Sequence, residues 1–105
     1  MIKRVKRRYL LLKIESVAPL EEGDFKDAVW NSVIRLFGEY GASKAALFFV
    51  RYDRERNEAV LRCSLKALEM VHASIVSITR ICNEPAAVHV LGVSGTIRAL
   101  SRKSG

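Results

Sequence analysis

The chain of 105 residues is poor in the residues that staple or catalyse: two cysteines (Cys63, Cys82), two histidines (His72, His89), two prolines and one tryptophan. Two cysteines inside apolar segments do not build a disulfide scaffold, and they point to a reducing, cytoplasmic setting. With no C-x-x-C or H-x₃₋₅-H spacing, the four sulfur and imidazole ligands do not read as a zinc site. Asp53, Glu55 and Glu58 cluster at a turn where charges are expected anyway, so no metal ligands are assigned. No apolar run approaches the roughly 20 residues of a membrane helix. The start, "MIKRVKRR", leads into "YLLL", which Lys13 and Glu15 interrupt at once, unlike a signal peptide. No repeat or low-complexity stretch divides the chain.

What is present is half hydrophobic and 28% charged, with a net charge of +7. That is the profile of one globular domain, 1–105. The excess charge lies at the ends. Lys3, Arg4, Lys6, Arg7, Arg8 and Lys13 stand at the start, and Arg98, Arg102 and Lys103 at the finish, with no acid among either group. The body between them keeps nine bases against all 11 acids and is close to neutral. A basic arm (1–8) and a basic tail (98–105) flanking a neutral domain suit a polyanionic partner; the plainer account is solubility.

"RRYLLLKIES" (7–16) reads as a strand. A helix follows, capped by Asp24, with Phe25, Ala28, Val29, Ser32, Val33, Leu36, Phe37 and Tyr40 at helical spacing and Gly41 as its stop. "KAALFFVRYD" (44–53) and "EAVLRCSL" (58–65) make a hairpin around "RERN". A second helix is expected from Lys66 to Asn83, on the stripe Leu68, Val71, Ile75, Ile78, Cys82, with Pro85 blocking its continuation. "AAVHVLGV" (86–93) is the last strand. The order β-α-β-β-α-β implies an α+β, ferredoxin-like sandwich: a four-stranded antiparallel sheet with two helices on one face. The strands are apolar on both sides, so one face packs on the helices and much of the other on a protein. Tyr9, Leu11 and Phe49 are the candidates for that contact. Trp30, off the main stripe of its helix, either covers the core edge or joins it.

No catalytic residues are assigned. Neither histidine has a Ser, Cys or acid at a spacing that makes a nucleophile–base pair. Base stacking across the sheet is disfavoured, because "AVLRCSL" has no aromatic and Tyr9 stands alone in its strand. Any RNA contact would then be to phosphate and shape. Ser94, Gly95 and Thr96 follow the last strand, but no Gly-Lys-Ser/Thr completes a nucleotide loop. Arg62, in mid-strand, is a weaker candidate for a phosphate and a possible partner of Asp53 or Glu58.

"RRYLLLKI", "AVWNSVIRLFGEYG", "VRYD", "AVLRC" and above all "LGVSGTIRAL" together resemble the Pop-five family of ribonuclease P protein subunits, in its archaeal form. The resemblance spans residues 7 to 100. It implies a ferredoxin-like subunit of the ribonucleoprotein that removes the 5′ leader from precursor tRNA. In that particle RNA and its magnesium ions do the chemistry, so the chain carries no cofactor and does not cut alone. It also implies pairing with a barrel-shaped protein subunit, two such pairs joining as a heterotetramer, and no membrane. On this view Lys3, Arg4, Lys6, Arg7, Arg8, Arg98, Arg102 and Lys103 meet phosphates of the ribonuclease P RNA, with Ser94, Gly95 and Thr96 beside them; precursor tRNA is met indirectly. Some relatives continue past the basic tail, whereas this chain stops at Gly105. Two other readings are a small-ligand, amino-acid-binding domain of ACT type, using "APLEEGD", and a pure protein adaptor.

Overall fold

A computed structural model describes residues 6–97. The elements are β1 (Arg7–Ser16), α1 (Glu22–Ala45), β2 (Phe48–Asp53), β3 (Glu58–Ser64), a 3₁₀ turn (Leu65–Ala67), α2 (Leu68–Val76), β4 (Arg80–Ile81) and β5 (Glu84–Ser94). The result is a mixed α+β fold with a five-stranded antiparallel sheet in the order β2-β3-β1-β5-β4. The expectation of four strands is therefore corrected by one, the two-residue β4.

β1 has the limits its apolar run implies, and it lies at the centre of the sheet between β3 and β5. Successive side chains of a strand point to opposite faces. Leu10, Leu12 and Ile14 accordingly join Leu61 and Cys63 of β3, Val88 of β5 and the helices in one buried cluster. Phe25 and Val29 bring α1 to this core; Val71 and Ile75 bring α2. Leu11 and Val60 form a second, smaller buried pair on the far side of the sheet. Where the helices meet, Ser32 donates to the Ser74 carbonyl (2.6 Å), which also accepts from Ser77 Oγ (2.9 Å). That carbonyl is an orphan of the helix end, and the two hydroxyls satisfy it.

Three boundaries differ from the sequence expectation. Asp24 does not cap α1; Glu21 holds the cap position, and Asp24 sits in the first turn, where its charge favours the helix dipole. Gly41 does not end the helix. The chain kinks at Gly38 (φ 76°, ψ 172°), then stays helical to Ala45, with Ala46 in the left-handed conformation. Residues 44–47 thus belong to the helix end and its turn, because Ala45 is wholly buried in the core. Gly41 serves close packing: a Cβ there would stand 2.9 Å from Phe37 Cβ and 3.5 Å from Met70 Sδ.

The second helix is far shorter than its stripe implies. It stops at Val76, and the chain turns through Cys82 (φ 55°) and Asn83 (φ 65°) into β5. Two successive left-handed residues make the tight turn that matches strand twist. Ile78 remains buried from the connecting loop, whereas Cys82, the last residue of the stripe, is exposed in the turn. Pro85 lies within β5, opposite Arg80.

Gly38 occupies backbone territory that is essentially closed to residues with a Cβ, and nothing else crowds it. Gly38→Ala is expected to lower stability by about 1–3 kcal/mol, read as a shift in the midpoint of urea unfolding at unchanged slope. An unchanged midpoint would show that the kink relaxes without cost.

Candidate nucleic-acid interface

Antiparallel pairing decides which strand ends meet. Arg7 opens β1 and Ser94 closes β5, and Tyr9 pairs with Ser94. The start of one strand therefore lies beside the finish of the other. The Lys6 carbonyl accepts a hydrogen bond from the Leu65 N–H (2.8 Å), which fixes it against the 3₁₀ turn. Lys6, Arg7 and Arg8 thus gather with Ser94, Gly95 and Thr96 at one end of the sheet. Lys3 and Arg4, like Arg98, Arg102 and Lys103, lie outside the described residues.

Ser94 accepts a hydrogen bond from the Thr96 N–H through its hydroxyl (3.3 Å), which bends the chain as β5 ends. A Cβ at Gly95 would stand 3.6 Å from Arg8 Nη1, an ordinary contact, so the fold itself does not require glycine there. Just before, β5 carries an extra residue: Leu11 pairs with Gly92 and Leu12 with Val90, leaving Leu91 bulged and half exposed. Bulges re-aim a strand end. The "LGVSGT" stretch is therefore a bulged, bent strand exit set beside the arginines of β1.

The two ends of the sheet differ electrostatically. Toward the β2–β3 hairpin charged side chains have partners: Arg54 pairs with Glu21 (3.3 Å), Arg56 with Glu58 (4.0 Å), and Lys13 Nζ donates to the Arg56 carbonyl (2.6 Å). On the neighbouring β1–β5 pair, Glu15 lies 3.3 Å from His89 Nε2. At the opposite end, Lys6, Arg7 and Arg8 meet no carboxylate among the described residues. Arg62 does not pair with Asp53 or Glu58 either; its guanidinium lies over the Phe48 ring. Lys66, next to Leu65 and exposed, belongs to the same cationic end. Its single charge beside "ALEM" gave no signal in the sequence.

The four expected protein-contact residues do not share a surface. Tyr9 and Leu11 lie on the face away from the helices, but Leu11 is 0% exposed. Phe49 faces the helices and meets Phe25 edge to face. Trp30 is partly exposed on α1.

Neither thiol is poised for chemistry. Burial pushes the Cys63 thiol up to about 11. The Cys82 thiol is raised too, by desolvation first and then by the carboxylates of Asp24 and Asp27. A nucleophilic cysteine needs the opposite shift. Among the described residues no three histidine, cysteine or acidic side chains come together as metal ligands, and no helix is long and apolar enough to cross a membrane.

Comparison with known proteins adds a family. The sequence model of the Rpp14/Pop5 family matches residues 8–104. "Ribonuclease P protein component 2" of Pyrococcus furiosus is 34% identical over 100 residues, covering 95% of this chain and 83% of that protein. The protein of the same name from Methanocaldococcus jannaschii is 36% identical over 95 residues, 90% of this chain and 69% of its own. Among solved structures, a chain of yeast ribonuclease MRP superposes with a TM-score of 0.73 at 16% identity, covering 91% of this chain and 79% of that one. That last likeness is one of fold. None of these matches favours an amino-acid-binding domain of ACT type.

Proposed function

The chain belongs to the Rpp14/Pop5 family, and from that premise we propose that it is the non-catalytic protein subunit of a ribonuclease P, binding and stabilising the RNA that removes 5′ leaders from precursor tRNA. The observation that carries this reading is the end of the sheet where Lys6, Arg7 and Arg8, unanswered by carboxylates among the described residues, stand beside the bent Ser94–Thr96 exit. Phosphates crowd one another when a large RNA compacts, and cations held by a rigid sheet relieve that repulsion. Lys3, Arg4, Arg98, Arg102 and Lys103, which lie outside the described residues, are assigned to RNA phosphates by their charge alone. The magnesium that the reaction uses is held by the RNA, and the chain lowers the concentration needed to load it.

The partner protein is the barrel-shaped subunit of the same enzyme, in a heterotetramer of two such pairs, within the cytoplasm. The long strands in the order β2-β3-β1-β5, with both helices on one face, support a ferredoxin-like frame extended by β4. Reconstitution tests the proposal. Cognate ribonuclease P RNA and the barrel-shaped subunit are assayed for cleavage of precursor tRNA, with and without this chain, across a magnesium titration. Adding the chain is expected to move half-maximal cleavage to lower magnesium. Superimposable titrations would overturn the proposal.

A further inference from the structure

The sheet face turned away from the helices carries a row that hydrophobic patterning cannot assemble. Phe48 pairs with Arg62, Arg62 with Tyr9, and Tyr9 with Ser94, so β2, β3, β1 and β5 each place one side chain on a single line across the face. Strands are spaced roughly 4.8 Å apart, so the backbones at Phe48 and Tyr9 stand about 10 Å from one another with that of Arg62 between. The Arg62 guanidinium lies 4.7 Å from the centre of the Phe48 ring. Its Nε is buried with no hydrogen-bond partner, and none of its nitrogens meets a carboxylate among the described residues. Phe48 is 52% exposed although it is a large aromatic in a strand.

Beside the row on the same face, Leu11 and Val60 are 0% and 1% exposed, with Tyr9 and Val50 packed against them. The pleat and the pairings of Arg7 with Ser64 and Arg51 with Val60 put both arginines on this same face. Its acids, Asp53, Glu58 and Glu15, lie toward the hairpin end, among Arg56 and His89.

We propose that Phe48, Arg62 and Tyr9 form a stacking platform for an unpaired stretch of RNA, with Arg7 and Arg51 holding the flanking phosphates. The inference rests on the reading of the chain as an RNA-binding subunit and adds a second, single-stranded mode of contact. Aromatic rings and a flat guanidinium stack on any base, because every base has a π-face. A protein partner would have to bury Arg7, Arg51 and Arg62, which no carboxylate answers among the described residues, and a buried charge left unpaired is costly. The expectation that stacking is disfavoured looked for both aromatics in the first and third strands. Here the second ring comes from β2, and only the register brings it alongside Tyr9.

The test uses the full chain and two probes: a single-stranded pentanucleotide of uridines with 2-aminopurine at its centre, and a 12-base-pair RNA duplex. Binding the single strand is expected to quench 2-aminopurine. Phe48→Ala should weaken that binding by about 5- to 150-fold and leave duplex binding unchanged, while Phe48→Tyr restores it. Arg62→Lys, which keeps the charge but loses the flat stack, should weaken it as well. A thermal melt checks that each variant is folded, and Phe48 is exposed enough that its removal opens no cavity. Single-strand binding unchanged in Phe48→Ala, or weakened equally for the duplex, overturns the platform and leaves the RNA-subunit reading standing. A wild-type chain that binds neither probe nor the ribonuclease P RNA overturns both. Loss of association with the barrel-shaped subunit in Phe48→Ala, with RNA binding intact, would reassign the face to protein.

Discussion

Phe25→Ala is expected to remove roughly 3–5 kcal/mol of folding stability, the largest loss from any single change considered. Phe25 is 0% exposed and lies in the first turns of α1. Its ring meets Phe49 edge to face at 6.2 Å and stacks on Tyr52 at 5.4 Å. Both partners come from β2, the outermost strand on its side of the sheet, so one side chain ties that strand to the helix layer. Truncation would leave a cavity and also forfeit two aromatic pairs, each worth about 0.5–1.5 kcal/mol beyond buried area. Domains of this size hold only about 5–15 kcal/mol in total, so the variant would lie close to unfolding at room temperature. Tyr52→Phe is the matched control. It keeps the ring and loses only the hydroxyl's hydrogen bond to the Leu20 carbonyl (2.6 Å), worth about 1 kcal/mol. Calorimetric melts of both variants decide the matter: a loss below about 1 kcal/mol in Phe25→Ala would mean that β2 is anchored elsewhere.

The elements most visible in the sequence were those whose cause is local. β1 is a run of apolar strand formers between charges, and its limits at Arg7 and Ser16 coincide with the pattern. The β2–β3 hairpin turns at "RERN" as its charges imply. Ile78 and Cys82 continue the apolar stripe beyond the second helix, but Ile78 is buried from a loop and Cys82 is exposed in a turn. Periodicity does not register what shape the chain takes. The Cys82–Asn83 turn lacks the Asn-Gly signature that marks such turns. Gly38 and Gly41 look alike in the sequence because the role of each depends on a kink that only packing sets. Of the candidate site, charge marked the basic ends, but the meeting of Lys6, Arg7 and Arg8 with Ser94, Gly95 and Thr96 follows from the pairing of β1 with β5. The Phe48–Arg62–Tyr9 row depends wholly on register, which no single strand encodes.

Replacing Lys3, Arg4, Lys6, Arg7 and Arg8 by alanine is expected to make the salt dependence of RNA binding much shallower. Each phosphate neutralised contributes roughly 0.7–0.9 to the slope of log affinity against log salt, so five contacts contribute about 3.5–4.5. The physical cause is the release of condensed counterions, which is insensitive to sequence and cannot be mimicked by lost packing. That makes the slope a cleaner readout than affinity, which a partly unfolded variant would also lose. Lys6, Arg7 and Arg8 suit the test because no described carboxylate competes for them. Arg54 and Arg80 supply the comparison: Arg54 is held by Glu21 at 3.3 Å, and Arg80 donates to the Asn83 carbonyl at 3.1 Å. Removing that second pair also lowers the net charge, yet it should leave the slope unchanged if contact, and not overall charge, sets it. Filter binding of ribonuclease P RNA across a salt series measures both. Equal slopes for the wild type and the five-alanine variant would remove the arm from the interface, and losses in proportion to the charges removed, five against two, would make the effect one of net charge alone.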